Sequence, residues 1–199
     1  MRRAQVRVGR VGDVWFSLSL PSGPDLMRLT NFVAGLVVCF LTISAVPVGA
    51  EQIGQDADLC RAGRGPAIQV NVQGLKDRRG ELWLELYPPS SDDFLRADTD
   101  LMAEGKTFRR TRSRLPAAGN VEICVRVPHP GRYALMLRHN RAERDKFSFW
   151  SDGAGVPANQ SLGRSKPKLD QALINAGPGI TVVAIKMQYL RGFGFSPLE

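Results

Sequence analysis

The chain holds only two histidines, and one of them is the second residue of the stretch RHNRAERDKFSFWSDG (residues 138–153). His139 is followed there by Asp145 and Asp152. An imidazole within hydrogen-bond reach of a carboxylate, around a concave pocket, is the machinery of general-base hydrolysis. Several serines stand elsewhere, but no nucleophile-elbow pattern supports a Ser-His-Asp arrangement. His129 sits between Pro128 and Pro130, and its spacing to His139, Asp145 or Asp152 matches no recognised zinc site. A capping or hydrogen-bonding role for His139 is therefore expected, with no metal and no cofactor. Ser90-Ser91-Asp92-Asp93 offers paired carboxylates to a glycoside, against the simpler reading that Asp92 caps a helical turn. GFGFS, near the end, lacks the following helix or lysine that a phosphate loop needs.

Two other groups suit recognition better than catalysis. In KTFRRTRSRL, Arg110, Arg112 and Arg114 fall on one face at a period of two. Such a stripe suits phosphate or carboxylate groups, or it protects an edge strand from aggregation by charge. Phe147 and Phe149 alternate with Ser148, and Trp150 precedes Ser151-Asp152-Gly153. These rings form either a platform for a sugar or partner protein, or a plug folded over the open end of the fold, since exposed aromatic clusters are uncommon on monomers.

The elements that must position these residues show mainly a period of two. In AIQVNVQG, Ile68, Val70 and Val72 point inward; ELWLELY sends Leu82, Leu84 and Leu86 inward, with Glu81 and Glu85 outward. NVEICVRV buries Val121, Ile123, Val125 and Val127, which puts Cys124 on the outer face. RYALMLRH buries Tyr133, Leu135 and Leu137, and TVVAIKMQYL buries Val183, Ile185, Met187 and Tyr189. With the arginine-rich strand and a short one in LDQALINAGPG, about seven strands and no strong amphipathic helix emerge. This predicts an all-β fold, an antiparallel two-sheet sandwich over residues 67–191 rather than a barrel. A polar leading arm (51–66) and a tail (192–199) flank it.

Residues 27–50, MRLTNFVAGLVVCFLTISAVPVGA, have the layout of a secretory signal peptide: Arg28, an apolar run from Phe32 to Val46, Pro47, then small residues before Glu51. The run is short for a membrane span, which needs about 20 residues; an uncleaved anchor is the alternative. Met27 heads this layout, so residues 1–26 read as a mis-called extension. Export to the periplasm or beyond, with cleavage near Ala50, is the expected localisation. The formal charge is +8 over the whole chain. Removing residues 1–50 takes five arginines and two aspartates, so 22 basic against 17 acidic residues leave +5. An anionic envelope component or partner protein is the expected partner, with peripheral membrane contact conceivable and nucleic acid excluded by export.

Cys60 and Cys124 remain after the signal segment, and an oxidising compartment favours pairing them. They are either unrelated thiols or a bridge. The outward position of Cys124 favours a bridge to an arm crossing outside the sheet, worth at most roughly 4 kcal/mol on the chain-entropy model.

VNVQGLKDRRGELWLELY, a DDF segment, PHPGRYALMLRHN, a long loop and a last apolar strand together resemble the domain of unknown function 2141 family, over roughly residues 67–191. That resemblance implies an exported bacterial protein with an immunoglobulin- or transthyretin (prealbumin)-like sandwich, and no particular reaction. Many relatives continue past the matching histidine with HD-x-[ND]-x-NG-K, which looks like a short calcium loop. The matching residues here are His139, Asn140, Ala142, Arg144 and Asp145, beside Arg141. Two oxygen ligands and two arginines do not suit an ion that takes 6–8 oxygens. The resulting expectation is an exported, non-enzymatic binding or structural module of the cell envelope, with a hydrolase using His139 as the alternative.

Overall fold

A computed structural model describes residues 50–198. The extension at 1–26 and the signal segment up to residue 49 lie outside the described residues.

In chain order the elements are β1 (Glu51–Ile53), α1 (Ala57–Arg61), β2 (Ala67–Gln73), β3 (Glu81–Tyr87), α2 (Asp98–Ala103), β4 (Arg109–Arg114) and β5 (Val121–Arg126). Then come β6 (Gly131–Asn140), β7 (Gly153–Gly155), α3 (Leu169–Ala172), β8 (Leu173–Ala176), β9 (Ile180–Lys186), β10 (Gln188–Arg191) and β11 (Gly194–Pro197). They form two sheets, one ordered β1-β5-β2-β9 and the other β11-β10-β7-β6-β3-β4. Strand β8 pairs with the first residues of β6, and β7 with its last. The chain is an all-β two-sheet sandwich.

The inward rows follow the alternation. Ile68, Val70, Leu82, Leu84, Leu86, Val121, Ile123, Val125, Leu135, Leu137, Ile185 and Met187 fill one core, nearly all of them without solvent contact. Each side chain that leaves water for that interior contributes about 1.5–3 kcal/mol of transfer free energy. Tyr133 closes the start of β6, its hydroxyl donating to the His129 carbonyl at 2.8 Å. This back-bond to a residue a few positions upstream is the tyrosine corner of sandwich folds.

The strand count and the pairings differ from expectation. Eleven strands rather than about seven lie among the described residues, because the arm contributes β1, the tail contributes β11, and β7 interrupts the long loop. Two pairings are parallel, β1 with β5 and β2 with β9; the rest are antiparallel. TVVAIKMQYL is two strands. It leaves the smaller sheet at Met187 and joins the larger one as β10, and the inward row Ile185, Met187, Tyr189 continues through the break. Three residues of β7, Gly-Ala-Gly, are small because the strand lies tight against its neighbours: a Cβ on Gly153 would run into the Tyr189 ring.

Cys60 on α1 and Cys124 on β5 are joined, with their Cα atoms 6.1 Å apart. The bridge sits on the outer face of the smaller sheet, in a small cluster with Leu59, Ala67 and Ile180.

Candidate functional site

The outer face of the larger sheet is the part of the fold that period-two reasoning treats as solvated. It is covered. Tyr87, Ala134, Met136 and Ala154 point away from the main core and belong to a second one, with Leu101, Val156, Leu162, Ala172 and Phe195. The cover consists of the segment around α2, the loop after β7 and α3, and Phe195 joins it from β11 at the sheet's edge. Leu101, on α2, is fully buried in it. Gln188 fastens the loop by accepting from the Leu162 amide at 2.9 Å and donating to the Gln160 carbonyl at 2.7 Å. Gly163 exchanges backbone hydrogen bonds with Phe195. Leu95, in the cover, adopts φ 64°, a left-handed conformation uncommon for a bulky side chain and strained where it occurs.

Glu85 lies beneath this cover, 1% exposed. Register explains its partners: Arg110 on β4 is directly opposite, and Arg138 on β6 lies two residues from the facing position, Met136. Arg110 Nε donates to Oε1 at 2.7 Å, Arg138 Nη1 donates to the same oxygen at 3.3 Å, and the Tyr87 hydroxyl donates to Oε2 at 2.9 Å. Arg110 also donates to Asp98, at the start of α2, at 2.6 Å. Burial opposes the charge on Arg110, but Glu85 and Asp98 outweigh it and raise the guanidinium's pKa. Burial, and then the Glu85 charge, push the Tyr87 hydroxyl well above its usual range.

Arg138 is the less satisfied of the two cations. Its guanidinium lies over Trp83, 4.8 Å from the ring centre, and 5.5 Å from the centre of Phe147. Its Nε is buried with no hydrogen-bond partner. A buried donor left unpaired costs about 1–3 kcal/mol, which makes this atom an exception in need of a cause.

A cavity of about 430 Å³ opens beside this charged floor. Glu85, Tyr87, Arg110, Met136, Arg138 and Ala154 line it from the sheet. Phe147, Phe149, Leu162 and Phe195 wall it, with Phe149 and Phe147 5.0 and 6.0 Å from Phe195 between ring centres. Arg96, Arg164 and Lys166 also line it. Its volume falls in the range of small-molecule sites, about 300–1,000 Å³, and so does its mix of apolar walls with a few polar groups.

A scan against protein-family models matches residues 70–183 to DUF2141, an uncharacterized protein family conserved in bacteria. The chain belongs to that family. No curated protein and no solved structure matches it. The DUF2141 span includes Glu85, Arg110, Arg138, Phe147 and Phe149. Cys60, which anchors the arm, and Phe195, which closes the wall, lie outside it.

The other residues singled out from the sequence lie elsewhere in the fold. His139 is fully buried, with Nε2 2.7 Å from the Arg79 carbonyl and Nδ1 2.6 Å from the Tyr189 hydroxyl. Since the carbonyl can only accept, Nε2 carries the proton and Nδ1 accepts from the tyrosine. Burial lowers its pKa, so the ring is held neutral. Asp152 accepts from the Arg141 and Ser148 amides and from Ser151 Oγ, which closes the loop. Asp145 is exposed. His139 makes no hydrogen bond to either aspartate among the described residues. The Asp77 carboxylate lies 4.0 Å from its Nε2, and Arg141 engages that carboxylate.

Asn140 does not face an ion: its side chain donates to the Arg144 carbonyl at 2.8 Å and accepts from the Arg144 amide at 3.1 Å. Among the described residues no group of three or more His, Cys, Asp or Glu side chains is placed to hold a metal. Asp93, rather than Asp92, is the buried member of the 90–93 segment. It accepts from Lys106 and Arg96, which lower its pKa against burial.

The arginine stripe divides. Arg110 is committed to the cavity floor. Arg112 stacks 3.9 Å from the centre of Trp83. Arg114 is exposed, 3.9 Å from Glu143. A uniform stripe is therefore not what β4 presents, because cross-strand carboxylates and an indole claim its first two members. The aromatic trio divides too. Phe147 and Phe149 pack over the outer face of the larger sheet rather than over an open end between sheets, while Trp150 stands 83% exposed. What the sequence could not show is Arg138. It looked like the end of an inward-outward alternation, and its partner Glu85 lies 53 residues away.

Proposed function

We propose that this domain is an exported, non-enzymatic binding module of the bacterial envelope, and that it binds a small molecule in the cavity beneath Phe147 and Phe149. The observation that carries this reading is the buried Glu85–Arg110–Arg138 cluster beside unfilled space. The Glu85 carboxylate is 1% exposed, yet the cluster it anchors faces about 430 Å³ of cavity. The Cys60–Cys124 bridge is compatible with an oxidising compartment, and residues 27–50 carry a signal-like layout. The hydrolase reading has no support in the arrangement of His139, which has neither a free nitrogen nor a bonded carboxylate.

Native mass spectrometry of the purified domain, after equilibration with the small-molecule fraction of a bacterial envelope extract, tests the reading. The wild-type domain is expected to carry a discrete adduct. Ala154→Phe, which pushes a ring into the cavity from β7, is expected to lose it while keeping its circular dichroism spectrum. No adduct on the wild-type domain, or an equal one on the folded variant, would overturn the assignment.

A further inference from the structure

The chemistry of the ligand can be read from what the cavity leaves unpaired, and this step rests on the binding reading above. We infer that the cavity takes an amphipathic anion, a small molecule with one oxyanion head and an apolar body.

The charge argument is an accounting of partners. Two carboxylates line the space, Glu85 and Asp98, and Arg110 bonds both, at 2.7 and 2.6 Å. Five cations line it: Arg96, Arg110, Arg138, Arg164 and Lys166. Arg96 is occupied by Glu104 at 2.6 Å and Asp93 at 3.2 Å. Arg138 keeps only a second claim, at 3.3 Å, on an oxygen that Arg110 already holds. Arg164 and Lys166 are exposed and have no ion pair among the described residues. One under-bonded guanidinium and two unpaired cations therefore face a space whose carboxylates are already satisfied. A neutral ligand leaves that surplus as it is, and a cation adds to it. An oxyanion accepts from a guanidinium through strong, charge-assisted hydrogen bonds.

The apolar argument comes from the remaining lining. Leu95, Met136, Phe147, Phe149, Leu162 and Phe195 are among the residues that line the cavity. Phe147 is 38% exposed and so is Phe149. A second chain segment would bury such rings, and an apolar ligand body does the same work. A free inorganic anion would satisfy Arg138 and leave these walls wet. The combination favours a head and a body in one molecule.

Carboxylate and phosphate heads share this chemistry, so the test separates them. Isothermal titration calorimetry of the folded domain is run with decanoate, decyl phosphate, decan-1-ol and decyltrimethylammonium, each below its aggregation threshold. At least one of the two anions is expected to bind roughly tenfold or more tightly than the alcohol, with the cation weakest. The tighter anion names the head. Arg138→Gln is expected to remove that preference. Because this variant disturbs the buried cluster, Arg164→Ser/Lys166→Ser provides a second reading at exposed positions, expected to weaken anion binding and leave the alcohol unchanged. Equal binding of anions and alcohol, tighter binding of the cation, or an unchanged preference in folded variants would each overturn the inference and leave the cavity reading standing. Absence of binding by all four, with no adduct in the native mass spectrum, would sink the cavity reading itself.

Discussion

The two sheets share one interior, but their outer faces solve the same problem in opposite ways. On the smaller sheet the outward side includes a network of amides and a carboxylate, in which Gln52 donates to Gln69 and Glu122 and Gln69 donates to Asn71, beside the apolar Ala67, Cys124, Ile180 and an exposed Val182. That network is half-buried, with Gln52 Oε1 left without a hydrogen-bond partner, and a single helix is pinned to the face by sulfur. On the larger sheet the outward row is Trp83, Glu85, Tyr87, Met136 and Arg138, roofed by loops and a second core. A half-buried row of amides keeps little charge from water. A charged one buried under a roof is expensive, and stays buried only where hydrogen bonds and counter-charges offset desolvation. The cost of burying charge therefore falls on the second face and not on the first.

The sharpest way to break the comparison is to remove the pin. Cys60→Ser/Cys124→Ser opens a 64-residue separation, and is expected to cost up to about 4 kcal/mol in guanidinium unfolding. The loss should fall on the smaller sheet: amide exchange should rise in α1, β1 and β5 while the β3–β6 pair stays protected until global unfolding. Equal loosening of both faces would mean that the roof and the pin are one cooperative unit.

Next comes a matched pair of outward substitutions. Glu85→Gln keeps shape but takes the shared charge from two partly buried guanidinium groups, of which Arg110 keeps Asp98, and about 3 kcal/mol of destabilisation is expected at most. Gln73→Ala, outward and exposed on β2, should stay within about 0.5 kcal/mol. Similar costs at the two sites, from chemical denaturation, would erase the distinction between the faces.

How much of this the sequence disclosed follows the same division. Inward rows were legible because one buried face against water imposes strict alternation, and Cys124 showed its outward position by parity alone. The roof had a signal that alternation masks. ELWLELY and RYALMLRH carry Trp83, Tyr87, Ala134 and Met136 at outward positions, and near-continuous apolar strands are the mark of burial on both faces. The floor of the cavity was not legible, since Glu85 meets Arg110 and Arg138 only once three strands are in register. Nor was the role of His139: the same residue types suit a base or a buried neutral ring, and only the Arg79 carbonyl and Tyr189 hydroxyl decide it.

Mild acid is expected to act on the shared interior before it reaches either face. Burial depresses the His139 pKa below its ordinary value of 6.5. The folded state thus binds fewer protons than the unfolded one, so its stability is fully present above about pH 6.5 and falls as pH drops through the lower folded value. Asp98, on the roofed face, is lowered from 3.8: burial pulls it up, and Arg110 outweighs that. Its contribution is lost only in stronger acid. Denaturation midpoints should decline as pH falls below about 6.5 in the wild-type domain, and that first decline should be absent in a folded His139→Gln variant. A decline that survives this substitution would move the sensor elsewhere.

The smallest effect is expected at the edge of the roof. Trp150 meets Phe149 edge-on at 5.8 Å between ring centres, yet has most of its surface in water. Phe149 itself packs on Phe195 and lines the cavity. Trp150→Ala should therefore change unfolding free energy by less than about 0.5 kcal/mol, whereas Phe149→Ala should cost more, about 1–2 kcal/mol for a half-buried ring. If the tryptophan proves the costlier of the two, the loop from Phe147 to Trp150 is held by the indole, and the cavity wall takes its shape from the surface inward rather than from the sheet outward.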